Sequence, residues 1–280
     1  MPTEMKTRRT QSIGVFDSGF GGLSVLKEIV KALPEYDYVY LGDNARAPYG
    51  SRSKEVVYEF TKQAVDFLFT HGCDLVVLAC NTASAEALRK IQREYLPKKY
   101  GPHKRVLGVI VPAIEETVVR TTNGRVGVIA TQGTVRSGAF SRELNKASPG
   151  IQVFEQACPL LAPLVEAGEH RSKTADLMLA RYLTPLLRKH IDTLVLGCTH
   201  YGHLEGKIRK IVGKNIAIIS EGKIVAKKLQ QYLVRHSELE GALARRSKLK
   251  FYSTDIGERF DDLGTIFFGA PVVSKKAKLG

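Results

Sequence analysis

The chain lacks long hydrophobic runs. None of its apolar stretches approaches the roughly 20 residues that a membrane-spanning helix needs. Residues 1–11 also lack the apolar core of a secretory signal peptide and are instead polar and basic, with Lys6, Arg8 and Arg9. We therefore expect a cytoplasmic protein with no membrane partner and a basic N-terminal tail over residues 1–11.

Cysteine is scarce, and its spacing does not match a metal site. The four cysteines are scattered along the chain, at Cys73, Cys80, Cys158 and Cys198. They form no C-x-x-C pair and have no companion His-x-x-x-His pattern, which excludes the usual zinc-site spacings. Because disulfides are rare in cytoplasmic proteins, we expect four free thiols.

Acidic residues are in deficit. The 28 Asp and Glu residues face 42 Lys and Arg residues, which gives a formal net charge of +14. Such a balance favours anionic ligands, including nucleic acid, acidic surfaces and small carboxylates or phosphates, without choosing among them. The length of 280 residues predicts two domains, each of about 100 to 150 residues.

One motif occurs twice, and each copy contains a cysteine. Residues 75–84 (LVVLACNTAS) and 193–200 (TLVLGCTH) align when Cys80 is placed on Cys198. Each copy is an apolar, β-branched run that ends in polar residues, as in an inner strand of a parallel sheet that leads into a loop. Ligands bind beyond the carboxyl ends of such strands. A lone cysteine there is more often a small buried hydrophobe, but packing gives no reason to repeat it.

A second repeat supports a division into two halves. Residues 13–19 (IGVFDSG) resemble residues 126–133 (VGVIATQG), at nearly the same spacing as the two cysteines. We predict two similar three-layer α/β domains with parallel-type sheets, related by an approximate two-fold axis, with the active site between them. The predicted first domain comprises residues 12–105 and 224–280, and the second comprises residues 106–223.

Two thiols that face one carbon atom suit a specific reaction. Moving a proton from one face of a carbon to the other needs two acid/base groups, one a thiolate and the other a protonated thiol. Asp17 and His200 directly follow strands at the same end and are the candidates to set these states. The simpler alternatives are that Asp17 only caps the following helix and that His200 is a hydrogen-bonded interface residue.

Four motifs taken in order resemble the glutamate racemases of the aspartate/glutamate racemase family. They are residues 17–23 (DSGFGGL), 48–50 (PYG), 79–84 (ACNTAS) and 197–201 (GCTHY). The resemblance implies interconversion of L- and D-glutamate for peptidoglycan synthesis, with neither a metal nor pyridoxal phosphate as cofactor. It implies Cys80 and Cys198 as the acid/base thiols, with Glu166 as an acid/base partner of His200. The residues that it implies for substrate contact or thiol tuning are Asp17, Ser18, Tyr49, Gly50, Asn81, Thr82, Thr199 and His200.

The chain departs from the family pattern at two places. Family members commonly have proline after the Cys-Thr-His-Tyr run, where this chain has Gly202, and we expect a looser loop around Thr199 and His200. They also commonly have Asp-Ser-Gly where residues 220–222 are Ser-Glu-Gly. This second departure is expected to lie away from the chemistry and to affect domain packing more than rate.

Three alternatives stay open. Two acid/base thiols at the α-carbon place no requirement on the length of the substrate side chain, so a racemase for aspartate is the nearest alternative. A one-base decarboxylase on the same fold needs only one cysteine. A nucleic-acid-binding protein is the rival from another class, based on the net charge and the basic residues 245–250; solvated basic faces are the simpler interpretation. The oligomeric state is open as well, a homodimer included.

Overall fold

The computed structural model describes residues 10–256 and 258–280. Residues 1–9 of the predicted basic tail lie outside the described residues. Gln11, assigned to that tail, already pairs with the body of the protein, because its backbone bridges to Leu243.

The described residues form ten strands. They are β1 (Ser12–Asp17), β2 (Tyr38–Gly42), β3 (Cys73–Leu78), β4 (Arg105–Gly108), β5 (Arg125–Ala130), β6 (Gln152–Ala157), β7 (Thr193–Gly197), β8 (Ala217–Ile219), β9 (Leu249–Ser253) and β10 (Ser274–Lys276).

Helices connect these strands. They are α1 (Gly22–Ala32), α2 (Lys54–Thr70), α3 (Asn81–Glu86), α4 (Leu88–Lys90), α5 (Leu96–Lys99), α6 (Ile110–Arg120), α7 (Gln132–Ser137), α8 (Ala139–Ala147), α9 (Leu161–Glu166), α10 (Lys173–Leu187), α11 (Glu205–Val212), α12 (Glu221–Arg235), α13 (Ser237–Ala242) and α14 (Glu258–Phe268). Within the described residues, no helix combines the length and the apolar character that crossing a membrane requires.

The strands form two parallel sheets. The first has the order β10-β9-β2-β1-β3-β4, and the second has the order β6-β5-β7-β8. The core order β2-β1-β3-β4 of the first sheet recurs strand for strand in the second, which confirms the two α/β halves predicted from the repeats. Strands β9 and β10 extend the first sheet beyond β2, so the C-terminal segment returns to the first half.

Each half has helices on both faces of its sheet, and β1 illustrates why. Its residues alternate between faces: Ile13 and Val15 pack in the same core as Leu26 of α1, whereas Phe16 packs in the core that contains Leu68 of α2. All of these side chains are fully buried. A strand covered on both faces needs apolar residues at successive positions, which is the pattern of the repeated motifs.

The predicted boundary between residues 105 and 106 needs a correction. The second domain was predicted to begin at residue 106. Instead β4 pairs with β3 in the first sheet, and the chain turns into α6 at Ile110. The apolar pattern predicts a strand there but contains no information on its neighbour. We propose a domain boundary after Gly108.

Candidate active site

The carboxyl ends of the two sheets face each other. The Thr82 hydroxyl at the start of α3 lies 2.9 Å from the Thr131 hydroxyl, which follows β5 in the other half. On the opposite side, the Thr199 hydroxyl after β7 donates to Asp17 Oδ2 at 3.4 Å. The loops that follow β1, β3, β5 and β7 therefore enclose one site between the halves.

Cys80 lies in the loop after β3 and is 6% exposed. It is the N-cap residue of α3, where its Sγ accepts a hydrogen bond from the Ala83 backbone N–H at 3.5 Å. Its thiol donates to Ser18 Oγ at 3.4 Å. Burial raises the pKa of Cys80 to about 12, and the negative charge of Asp17 adds to this effect. Cys80 is therefore held as a neutral thiol.

Cys198 has different neighbours. Its Sγ lies 3.6 Å from Nδ1 of His200, and the other ring nitrogen of His200 lies 2.9 Å from Glu166 Oε1. Burial lowers the pKa of His200, but the hydrogen bonds to Cys198 and Glu166 outweigh it and raise the pKa to about 10. The structure therefore joins Cys198, His200 and Glu166 in one chain of contacts, with a cationic imidazole beside the sulfur.

Asp17 is the last residue of β1, is 1% exposed, and interacts electrostatically with Cys80 and His200. It accepts a hydrogen bond from the Gly19 N–H at 2.9 Å, in addition to that from Thr199. Burial raises the pKa of Asp17, and the positive charge of His200 opposes that rise. Its contacts reach into the other half, so they exceed those of a residue that only caps α1.

Tyr49 and Gly50 lie where the loop after β2 meets the second half. Tyr49 is buried, and its hydroxyl donates to Asp43, so its side chain braces the loop. Asp43 also accepts from Arg46 Nε at 2.7 Å and is fully buried. A Cβ on Gly50 would lie 2.7 Å from the Cβ of Thr131, so only glycine allows this approach.

Asn81 has a partner that we did not expect. Its side-chain N–H donates to Glu221 Oε2 at 2.8 Å, and both residues are buried. The prediction that residues 220–222 lie away from the chemistry is therefore wrong, because Glu221 contacts the residue next to Cys80. The sequence did not predict this contact, because Glu221 follows β8 in the second half whereas Asn81 follows β3 in the first.

Sequence reasoning also missed Asp43, Thr131 and Thr134. Thr134 Oγ1 lies 3.3 Å from Thr82 Oγ1 and 3.0 Å from Thr131 Oγ1. Two signals were available: the loop that contains Asp43 is long and rich in turn residues, and Thr131 follows its strand as Ser18 follows β1. Among residues 10–256 and 258–280, no group of three or more His, Cys, Asp or Glu side chains is arranged to hold a metal ion.

A family model matches most of this architecture. The model described as Asp/Glu/Hydantoin racemase matches residues 13–229, a range that includes both cysteines and both repeats. The chain belongs to the Asp/Glu/hydantoin racemase family. It is accordingly an isomerase of the racemase class.

Curated members of the family match along nearly their whole length. A glutamate racemase from Geobacter metallireducens is 39% identical over 260 residues, which cover 92% of this chain and 93% of that protein. A glutamate racemase from Aquifex aeolicus is 40% identical, covering 94% of this chain and 96% of that protein.

Solved structures of racemases match the fold closely. The glutamate racemase isoform RacE1 from Bacillus anthracis superposes with a TM-score of 0.88 at 35% identity, covering 97% of this chain and 99% of that one. The glutamate racemase from Francisella tularensis, in complex with D-glutamate, superposes with a TM-score of 0.87 at 32% identity, covering 97% and 98%. These matches agree with two α/β halves around one site.

Proposed function

We propose that this protein is a glutamate racemase that interconverts L- and D-glutamate by proton transfer at the α-carbon, with Cys80 and Cys198 as the two acid/base groups. One observation carries the proposal. Two buried thiols occupy matching positions after β3 and β7, and the loop after β1 contacts both of their loops, through Ser18 to Cys80 and through Asp17 to Thr199.

The unlike surroundings of the thiols suit opposite protonation states. Cys80 is a neutral thiol, whereas the His200 imidazolium next to Cys198 stabilises a thiolate. The Cys198 thiolate removes the α-proton and becomes a thiol, and the electron pair stays on the α-carbon. The Cys80 thiol then donates its proton to the opposite face and becomes a thiolate. The product is the other enantiomer, and the two sulfurs have exchanged roles.

The substrate is glutamate on two grounds. The curated relatives are named glutamate racemases, and one similar structure contains D-glutamate. In this chain, polar groups with free donor or acceptor capacity surround the thiols and suit a carboxylate and an ammonium group; they include Ser18, Asn81, Thr82 and Thr199. We place the reaction in the cytoplasm, where it supplies D-glutamate for peptidoglycan.

The experiment that tests the proposal follows optical rotation of L-glutamate in deuterium oxide, with purified protein and no added cofactor. Loss of rotation together with deuterium at the α-carbon is the expected result. No reaction with glutamate but turnover of aspartate would assign the chain to the aspartate alternative. Inertness toward both would contradict the proposal.

The variants Cys80→Ser and Cys198→Ser test the two-thiol assignment in the same assay. Each should lose nearly all racemisation, by about 100-fold or more, because a serine hydroxyl is a far weaker base than a thiolate. Cys73→Ser is the matched control, since Cys73 is buried in β3 and away from the site loops. Normal turnover in either site variant would refute the assignment.

A further inference from the structure

Glu221 is a buried carboxyl group that the reaction scheme does not use. It is the first residue of α12 and is 4% exposed. The Asn81 amide, which donates to its Oε2 at 2.8 Å, belongs to the first residue of α3 and follows Cys80 directly. This hydrogen bond thus joins the N-terminus of α12 to the N-terminus of α3, the helix that Cys80 caps.

Two oxygen atoms of this pair lack a hydrogen-bond donor. Glu221 Oε1 and Asn81 Oδ1 are both buried, and neither has a partner among the described residues. An ionised Glu221 would leave both acceptors unsatisfied, which is costly in a buried site. A single proton on Glu221 provides the missing donor, since a carboxylic acid and an amide can exchange two hydrogen bonds.

Burial and the nearby negative charge of Asp17 also disfavour the ionised form of Glu221. Burial raises the pKa of Glu221 to about 8; the Asn81 hydrogen bond opposes this rise and the negative charge of Asp17 adds to it. Glu221 lines a cavity of about 500 Å³ that reaches Cys198 and Thr199. The other charged residues lining this cavity include Lys27, Glu28, Glu116, Arg120, His203, Glu205 and Lys223.

We propose that Glu221 is a positioning residue that acts as a neutral carboxylic acid and holds the Asn81 amide, and with it the start of α3, in place beside Cys80. The inference rests on the proposed racemase function for its kinetic consequence. When Glu221 ionises, the second hydrogen bond is lost and Asn81 Oδ1 is left without a donor, so only the bond to Oε2 still orients the amide. Activity then declines as the pH rises through about 8.

The test compares kcat and KM of wild type, Glu221→Gln and Glu221→Ala between about pH 6 and pH 9.5, each for both enantiomers. Glu221→Gln keeps an acceptor and a donor for Asn81 without a titrating group. We expect it to stay within about twofold of wild type near pH 7 and to lack the decline near pH 8. Glu221→Ala removes both partners and should lower kcat about tenfold, with a smaller effect on KM.

Glu28→Gln is the matched control, because Glu28 lines the same cavity from α1. It should follow the wild-type pH profile. The pKa of His200 is about 10 and that of Cys80 about 12, so neither accounts for an inflection near pH 8, and its loss in Glu221→Gln assigns it to Glu221. A Glu221→Gln profile identical to wild type, a Glu221→Gln loss as large as that of Glu221→Ala, or full kcat in Glu221→Ala would each overturn the proposal.

An infrared difference spectrum of wild type against Glu221→Gln gives a readout that needs no turnover. The carbonyl stretch of a protonated carboxyl group should appear near pH 6.5 and disappear at about pH 9.5. Its absence near pH 6.5 would refute the neutral acid. If wild type does not racemise glutamate, the proposed function fails, while this spectrum still decides the protonation state of Glu221.

Discussion

At the scale of single residues, the two thiols differ in what stands beside them. Cys80 has Ser18 and the N-terminus of α3, whereas Cys198 has the His200–Glu166 pair. The repeat places both sulfurs at equivalent positions, so the asymmetry comes from neighbours that the repeat does not share. In the proposed reaction, this difference makes Cys80 the acid and Cys198 the base.

Glu166→Gln tests the base side. The Gln oxygen can still accept from His200, but the negative charge that helps to raise the pKa of His200 is removed, so His200 loses its proton at a lower pH. We expect kcat to fall about tenfold near pH 8 and the alkaline limit of activity to move to lower pH. The stability that His200 contributes is fully present below its unfolded pKa of about 6.5 and is lost as the pH rises through about 10; the variant should lose it earlier.

Kinetic pH profiles and urea unfolding at several pH values provide the measurements. Glu169→Gln is the control, because Glu169 is exposed one turn further along the chain. An unchanged alkaline limit in Glu166→Gln would show that Glu166 does not act through His200.

At the scale of elements, the glycine-rich turn before α1 is shaped by the loop that holds Cys198. Gly21 has the backbone angles of a right-handed helix, so its backbone suits any residue. A Cβ there, however, would lie 2.1 Å from Thr199 Oγ1 and 2.7 Å from the ring of His200. Gly21 is therefore required by the close contact between the halves and not by its own backbone conformation.

Gly21→Ala should push Thr199 and His200 away from Cys198 and Asp17. A displacement of about 1 Å in such a site costs on the order of 100-fold in kcat, and we expect a loss of that size. Gly241→Ala in α13 is the matched control, because nothing lies within 4 Å of the added Cβ and α13 is not one of the elements that form the site. It should keep its rate within about twofold. Steady-state kinetics of both variants measure the difference, and equal rates would contradict the steric argument.

At the scale of the whole molecule, the net charge of +14 calls for an explanation apart from catalysis. Part of the positive charge of residues 245–250 is neutralised within the protein, since Arg246 forms an ion pair with Asp37 at 2.7 Å. We interpret the remaining excess as solvated surface that attracts anions without specificity.

DNA binding by the purified protein should accordingly be weak and strongly dependent on salt. We expect the affinity to fall by roughly a thousandfold between about 50 and 200 mM salt, with no preference for sequence. Fluorescence anisotropy with two unrelated duplexes measures both properties. Tight, sequence-dependent binding at physiological salt would instead revive the nucleic-acid-binding alternative.

The sequence by itself determined the strands of the two repeated motifs and the thiols that follow them. Apolar, β-branched runs that end in polar residues are local signals, and their duplication marked both halves and placed Cys80 and Cys198 at the ligand end of the sheets. The resemblance in four motifs added the family and its site residues. All of this depends on residues that are neighbours along the chain.

Only the tertiary structure decided which distant residues meet. Glu221 contacts Asn81 across 140 positions of sequence, and Thr199 reaches Asp17 across 182. The pairing of β4 with β3 in the first sheet is likewise decided by tertiary packing. Hydrophobic periodicity states which face of an element is buried but not what buries it, so partners such as Glu221 become visible only when the elements pack.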